Sequence, residues 1–414
     1  MKRKRIVVIG GGPAGMMAAI RASQLGQDVT LIEKNPSLGR KLLLSGKGRC
    51  NLTNTSDLDS FLERFSKYSQ FLRDAFKKFF NRELMDFFEK RGLRLKVERQ
   101  MRVFPVSDLS GSILEVLKKE LRDNKVRVIY KKELSGVKID EDKVKGALFK
   151  GGEFLACDSL ILATGGVSYG FTGSTGEGLD IARKSGHRIV EVRPGLVPLE
   201  TKESYPAFLE GLALKNIRLR FTDGKKHIVS EIGEMMFTKT GISGPLVLSL
   251  SRRITDWLDK DREVSVELDL KPALSDEKMD ARLLREFGRN PTKTIKNTLK
   301  ELLPQRMVGV FLMLAKIPEN KNVSQITQKE RKFLVALFKA MRMAIKGPRP
   351  IKEAMVTRGG VSLKDIDPRT MESRIVKDLY FAGEMIDVDA DTGGFNLQAA
   401  FSTGYLAGES ASLP

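Results

Sequence analysis

Histidine is almost missing from this chain: His187 and His227 are the only two in 414 residues. That excludes a three-histidine metal centre and leaves little material for a hydrolase built on an imidazole base. Cysteine is as scarce. Cys50 and Cys157 stand far apart, which gives no disulfide framework, no Cys-x-x-Cys pair and no cysteine-rich metal site. There is no run of 18 or more apolar residues, so no membrane span is expected. The basic start, Lys2-Arg3-Lys4-Arg5, has the charge of a signal peptide. The apolar run behind it turns straight into glycines with no cleavage site, and the expected location is the cytoplasm.

What is present describes a soluble globular protein. Hydrophobic residues make up 41% and charged residues 30%, and the length suits two or three domains. Positive charge is in excess, with a net +20. Residues 281–350 alone hold 16 Lys or Arg against 4 Asp or Glu. Such a surface binds nucleic acid or attracts anionic small molecules; the plainer reading, favoured here, is a solvated helical face. Phe287, Phe311, Phe333 and Phe338 sit at apolar helical positions there, which argues against a base-stacking platform.

Glycine carries the most specific pattern. Ile6–Ile9 is a short apolar strand, Gly10-x-Gly12-x-x-Gly15 opens a helix through Pro13 and Ala14, and a second apolar run ends at Glu33. Gly10 permits the turn, Gly12 lets the backbone approach a pyrophosphate, and Gly15 lets helix and strand pack closely. Phosphates meet the free N–H groups of the helix start. Glu33 and the adjoining Lys34 fall where a ribose is held. The loop Gly39–Asn54 follows, with Arg40, Lys41, Ser45, Arg49 and Asn51 suited to phosphate oxygens and polar ring edges.

Further on, 57–91 reads as two Phe-rich amphipathic helices, 110–123 as a helix, 126–130 as a strand and 131–155 as a hairpin. Ser159–Ala163 is a buried strand breaking at Thr164-Gly165-Gly166. Residues 195–270 alternate as antiparallel β-structure, and 276–345 have helical period. The tail repeats the pattern of the first segment. A strand ends at Gly383-Glu384, and Gly393-Gly394-Phe395-Asn396-Leu397-Gln398 opens a small-residue helix. Two such units, far apart in sequence, suit opposite ends of one extended ligand.

The loop Gly39–Asn54, the turn Gly233–Pro245 and the tail from Thr357-Arg-Gly-Gly-Val361 through Gly404 resemble the BaiN-like, aminoacetone-oxidase-like bacterial flavoproteins. The resemblance implies an α/β fold: a Rossmann-like FAD-binding domain of glutathione-reductase type, residues 1–193 and 347–414. It is interrupted by an inserted antiparallel β, barrel-like domain (194–275) and a helical domain (276–346). It implies that Gly10, Gly12, Gly15 and Glu33 hold the ADP half of FAD, with Arg40 and Lys41 beside it and the main chain near Val128 at the adenine. Thr164, Gly165, Gly383, Glu384, Asn396, Leu397 and Gln398 then approach the ribityl chain and pyrimidine edge, beside Gly394 and Phe395. Three positions depart from the family pattern: Lys239 stands where histidine is common, Gly170 where proline is, and Phe395 where tyrosine is.

A flavin takes a hydride at N5 without a nucleophilic side chain, so the scarcity of histidine costs nothing. No second Gly-x-Gly-x-x-Gly follows Thr164, which leaves NAD(P)H as a transient donor or the organic substrate as the reductant. Lys239 and Ser243 are candidates for the substrate side, against a purely structural turn. Cys50 as a redox thiol predicts that Cys50→Ser abolishes turnover with flavin still bound. Two function classes follow: an FAD-dependent oxidoreductase of an enone-like or amine small molecule, and a flavoprotein acting on RNA. Only the basic segment favours the second.

Overall fold

A computed structural model describes residues 3–65 and 68–413. Strand β1 (Arg5–Ile9) feeds helix α1 (Pro13–Gln24), which returns to β2 (Asp28–Glu33); β3 (Arg127–Tyr130), β4 (Ser159–Leu162) and β5 (Leu379–Phe381) complete one parallel sheet. Its order is β5-β4-β1-β2-β3, with Val7 opposite both Leu160 and Thr30. Central strands of a parallel sheet are covered on both faces, which is why β1 and β4 read as unbroken apolar runs. Ile6, Val7, Val8, Leu160, Ile161 and Leu162 are all buried, each worth about 1.5–3 kcal/mol. Helix α2 (Phe395–Ser412) lies directly on α1. Gly404 and Gly408 make that possible: a Cβ on either would stand 2.2 or 2.3 Å from the carbonyl oxygens of Ala14 and Ala18.

The chain forms two compact units, one of Met1–Gly195 with Ile351–Pro414 and one of Leu196–Pro350. In the first, Ile189–Gly195 pairs antiparallel with Val356–Val361, ending on the pair Gly195 and Val356. In the second, six antiparallel strands close into a barrel. They run Ala213–Thr222, Gly233–Thr238, Gly241–Ser243, Leu199–Thr201, Met341–Pro348 and Val264–Asp269, which pairs back with the first. The helices Asp276–Arg289, Ile295–Leu299, Gln305–Ala315 and Gln328–Ala340 share its apolar core.

The expected α/β architecture is present, with three local differences. The stretch 57–91 is broken into Leu58–Leu62, Arg73–Lys78 and Asn81–Glu89 rather than two helices; Ser66 and Lys67 lie outside the described residues. Its phenylalanines gather around each other, with Phe61 packed on Phe76, Phe80 and Phe395 at 4.7–5.3 Å. That cluster outweighs helix continuity. Within 195–270 a helix, Pro245–Leu258, interrupts the β-structure; Gly244 at φ +95° breaks the strand and Pro245 starts the helix. Met341–Pro348 is a strand whose first five residues fall in the range read as helical. Its buried Met341, Met343 and Ile345 alternate with exposed Arg342 and Lys346, a period of two.

Candidate cofactor site

The site is built on the carboxyl ends of the parallel strands, where open α/β sheets bind ligands. Gly10 follows β1 at φ +107°, and its N–H donates to Ile32 O at 2.8 Å. A Cβ on Gly15 would stand 1.9 Å from Gly10 O, so that position is closed by the protein itself. Gly12 is the opposite case. It precedes α1 at φ −81°, offers no side-chain cap, and has nothing within 4 Å of where its Cβ would be. An uncapped helix start facing open space is what an anionic pyrophosphate requires.

Glu33 closes the turn. Its carboxylate accepts from Gly11 N (2.7 Å), Asn35 N (2.8 Å) and Asn35 Nδ2 (2.7 Å). Asn35 in turn accepts from Arg40 Nη1 at 2.6 Å. Lys34 turns aside to Thr175 and Glu177, at 2.7 and 2.9 Å. Lys41 reaches across to the other end of the chain, its Nζ lying 2.8 and 2.6 Å from the two carboxylate oxygens of Glu384 and 2.7 Å from Ser168 Oγ. Glu384 also accepts from Ser168 Oγ (2.9 Å) and Thr357 N (2.8 Å). Its neighbour Gly383 lies against α1, since a Cβ there would come within 2.8 Å of Ala14 Cβ.

Other expected residues are engaged in holding the frame. Arg49 pairs with Glu98 and Asp108 and covers the Phe104 ring at 4.2 Å. Ser45 donates to Leu42 O, and Thr164 to Met385 Sδ. With its amide oriented to satisfy both ends, Asn51 accepts from Gly394 N–H at 3.1 Å. Asn396 bridges both main-chain groups of Ala390 at 2.9 Å. Gln398 is fully buried, accepting from Thr53 Oγ1 at 2.6 Å and donating to Ser402 Oγ at 2.9 Å. Phe395 packs on Phe61, Val128 and Leu397 are half-buried, and Gly165 and Gly394 have positive φ. In the inserted unit Lys239 sits in an exposed hairpin turn, and Ser243 is buried at the strand end before Pro245.

Sequence reasoning missed Ser168, Thr357 and Asn35. The first two flank glycine turns and carried no assignment of their own. It also missed Asp387, in the loop between β5 and α2. Burial first, and Asp389 second, push that carboxyl up to about 6 against the pull of Gly359 N–H and Arg358. Such a displacement is commoner at functional sites than elsewhere.

Cys50 does not fit a redox relay. It is fully buried, and burial pushes its thiol up to about 12, far from the thiolate that such chemistry uses. We expect Cys50→Ala to keep bound flavin and near-normal turnover. Aromatic disulfide reagents should label the native thiol only on unfolding; rapid native labelling contradicts this.

The sheet, the uncapped glycine turn and the second helix start at Gly394 define a two-ended nucleotide domain of the FAD-binding Rossmann class. Its open space at Gly12 and the Arg40 guanidinium, tied through Asn35 to the turn at Glu33, fit the charge of FAD. The chain belongs to the HI0933-like family: residues 4–410 match the HI0933-like protein Rossmann domain. It is similar, at 33% identity over 412 residues and 98% of both chains, to the 3-dehydro-bile acid delta(4,6)-reductase of Clostridium scindens. It is also similar to the ribosomal RNA dihydrouridine synthase of Escherichia coli, at 30% over 99% and 98% of the two chains. The fold is shared with 3-ketosteroid delta1-dehydrogenase from Sterolibacterium denitrificans, at TM-score 0.52 and 13% identity over all of both chains. The protein is an FAD-dependent oxidoreductase.

Proposed function

We propose that this enzyme carries hydride to an electron-poor ring double bond of a small organic molecule, with NADH or NADPH docking transiently as donor. The observation that carries this reading is the full-length similarity to a protein named as a delta(4,6)-reductase of a 3-dehydro bile acid. Bound FAD would supply the hydride acceptor and donor at N5, with the protein providing orientation and charge.

The residues take these roles in our reading. Gly12 and the start of α1 receive the pyrophosphate. Glu33 holds the adenosine ribose, Arg40 flanks the phosphates, and Lys41, through its pair with Glu384, joins Gly383 and the start of α2 at the ribityl chain and pyrimidine edge. Arg49, Asn396 and Gln398 act by fixing loops, because their polar groups are already used. Anaerobic mixing of flavin-loaded protein with NADH and with NADPH tests the donor. Bleaching of the flavin band within seconds by one of them is expected; no bleaching by either overturns the donor assignment.

A second reading, action on RNA, draws on the basic segment and on the relatives named ribosomal RNA dihydrouridine synthase. All four acids of 281–350 are engaged with cations: Glu286 with Arg289, Glu301 with Lys293, Glu319 with Lys296 and Glu330 with Lys321. Lys300, Lys316, Lys329, Lys332 and Arg285 remain exposed beyond those pairs. RNA retention that falls steeply with salt supports this reading, and none at low salt removes it.

A further inference from the structure

Lys41 and Glu384 come from opposite ends of the chain, and the fold goes to some length to join them. Both carboxylate oxygens contact one ammonium at 2.6 and 2.8 Å, and Ser168 Oγ and Thr357 N hold the carboxylate from two further segments. Lys41 and Glu384 side chains are 24% and 20% exposed, so water screens the pair only in part. The pair adjoins α1, because Gly383 packs on Ala14 in that helix's first turn.

We infer that Lys41 and Glu384 form a compensated charge pair that sets the reduction potential of the bound flavin. Lys41 supplies the positive charge and Glu384 attenuates it. This rests on the cofactor placement proposed above. Reduction leaves extra negative charge on the flavin ring, and a nearby cation favours that form as an anion favours the oxidised one. With the pair intact, the two charges nearly cancel. Removing one member exposes the other, so the two neutral variants must move the potential in opposite directions. A role in packing alone predicts no such opposition of sign.

The experiment is dye-equilibrated reductive titration of FAD-loaded wild type, Lys41→Met, Lys41→Arg and Glu384→Gln. We expect Lys41→Met to lower the midpoint and Glu384→Gln to raise it, each by a roughly tenfold change in the oxidised-to-reduced ratio. For a two-electron couple that is about 30 mV. Lys41→Arg, which keeps the charge, should stay near wild type. Shifts of the same sign, or no shift in either neutral variant, overturn the inference. If Lys41→Met holds no flavin, Glu384→Gln decides alone: a raised potential supports the pair and an unchanged one overturns it. Failure of wild type to bind FAD would instead overturn the cofactor placement.

Discussion

Gly12→Val should give a protein that folds like wild type and purifies without colour. Position 12 lies at φ −81°, ψ −178°, a conformation open to any L-residue. Beyond its own chain neighbours, no atom lies within 4 Å of the new Cβ, so the main expected loss to the flavin-free fold is a poorer helix cap, within about 1 kcal/mol. The isopropyl group instead occupies the space in front of the α1 start, where we place the pyrophosphate. A hundredfold loss of FAD affinity, about 2.8 kcal/mol, is the minimum expected. Denaturation of flavin-free wild type and variant should differ by no more than about 1 kcal/mol, whereas flavin absorbance after gel filtration should separate them. A variant that keeps stoichiometric FAD would show that the pyrophosphate lies elsewhere.

The second large effect is on stability. Gly404→Ala places a Cβ 2.2 Å from Ala14 O and 2.9 Å from the Ala14 carbonyl carbon, all main chain. Backbone cannot yield as a flexible side chain does, so α2 must lift from α1. Overpacking of this kind costs roughly 3 kcal/mol. Gly111→Ala is the internal control: it also lies within a helix, yet nothing stands within 4 Å of its Cβ. There alanine should be neutral or stabilising by about 0.5–1 kcal/mol. Urea midpoints of the two flavin-free variants test the contrast; equal midpoints would show that the helix crossing tolerates a side chain.

Local physics made much of this fold readable. Ile6–Ile9 and Ser159–Leu162 are apolar without alternation because both sheet faces are covered, and Ser110–Asp123 repeats its buried leucines at helical spacing. The paired strand Met341–Pro348 was equally readable, through its period of two, but it follows directly on a helix and was absorbed into it. The site was legible only as far as each motif extends. Gly10 to Glu33 is one continuous turn–helix–strand unit, and its candidate residues are close in sequence. The Lys41–Glu384 contact spans 343 residues and Ser168–Glu384 spans 216, so no local pattern encodes them. What engages Arg49 is equally remote from it in sequence. Its carboxylate partners, Glu98 and Asp108, lie 49 and 59 positions away and compete for its guanidinium once the chain folds.

The antiparallel pair formed by Ile189–Gly195 and Val356–Val361 has an architectural consequence. Gly195 and Val356 face each other as its last rungs, so the chain that leaves at one re-enters beside the other. In connectivity, everything between them stands where a hairpin turn would. The cofactor domain is therefore a complete circuit with one replaceable link. A lineage of such enzymes can lengthen or exchange the inserted barrel while the parallel sheet of the cofactor domain keeps every strand.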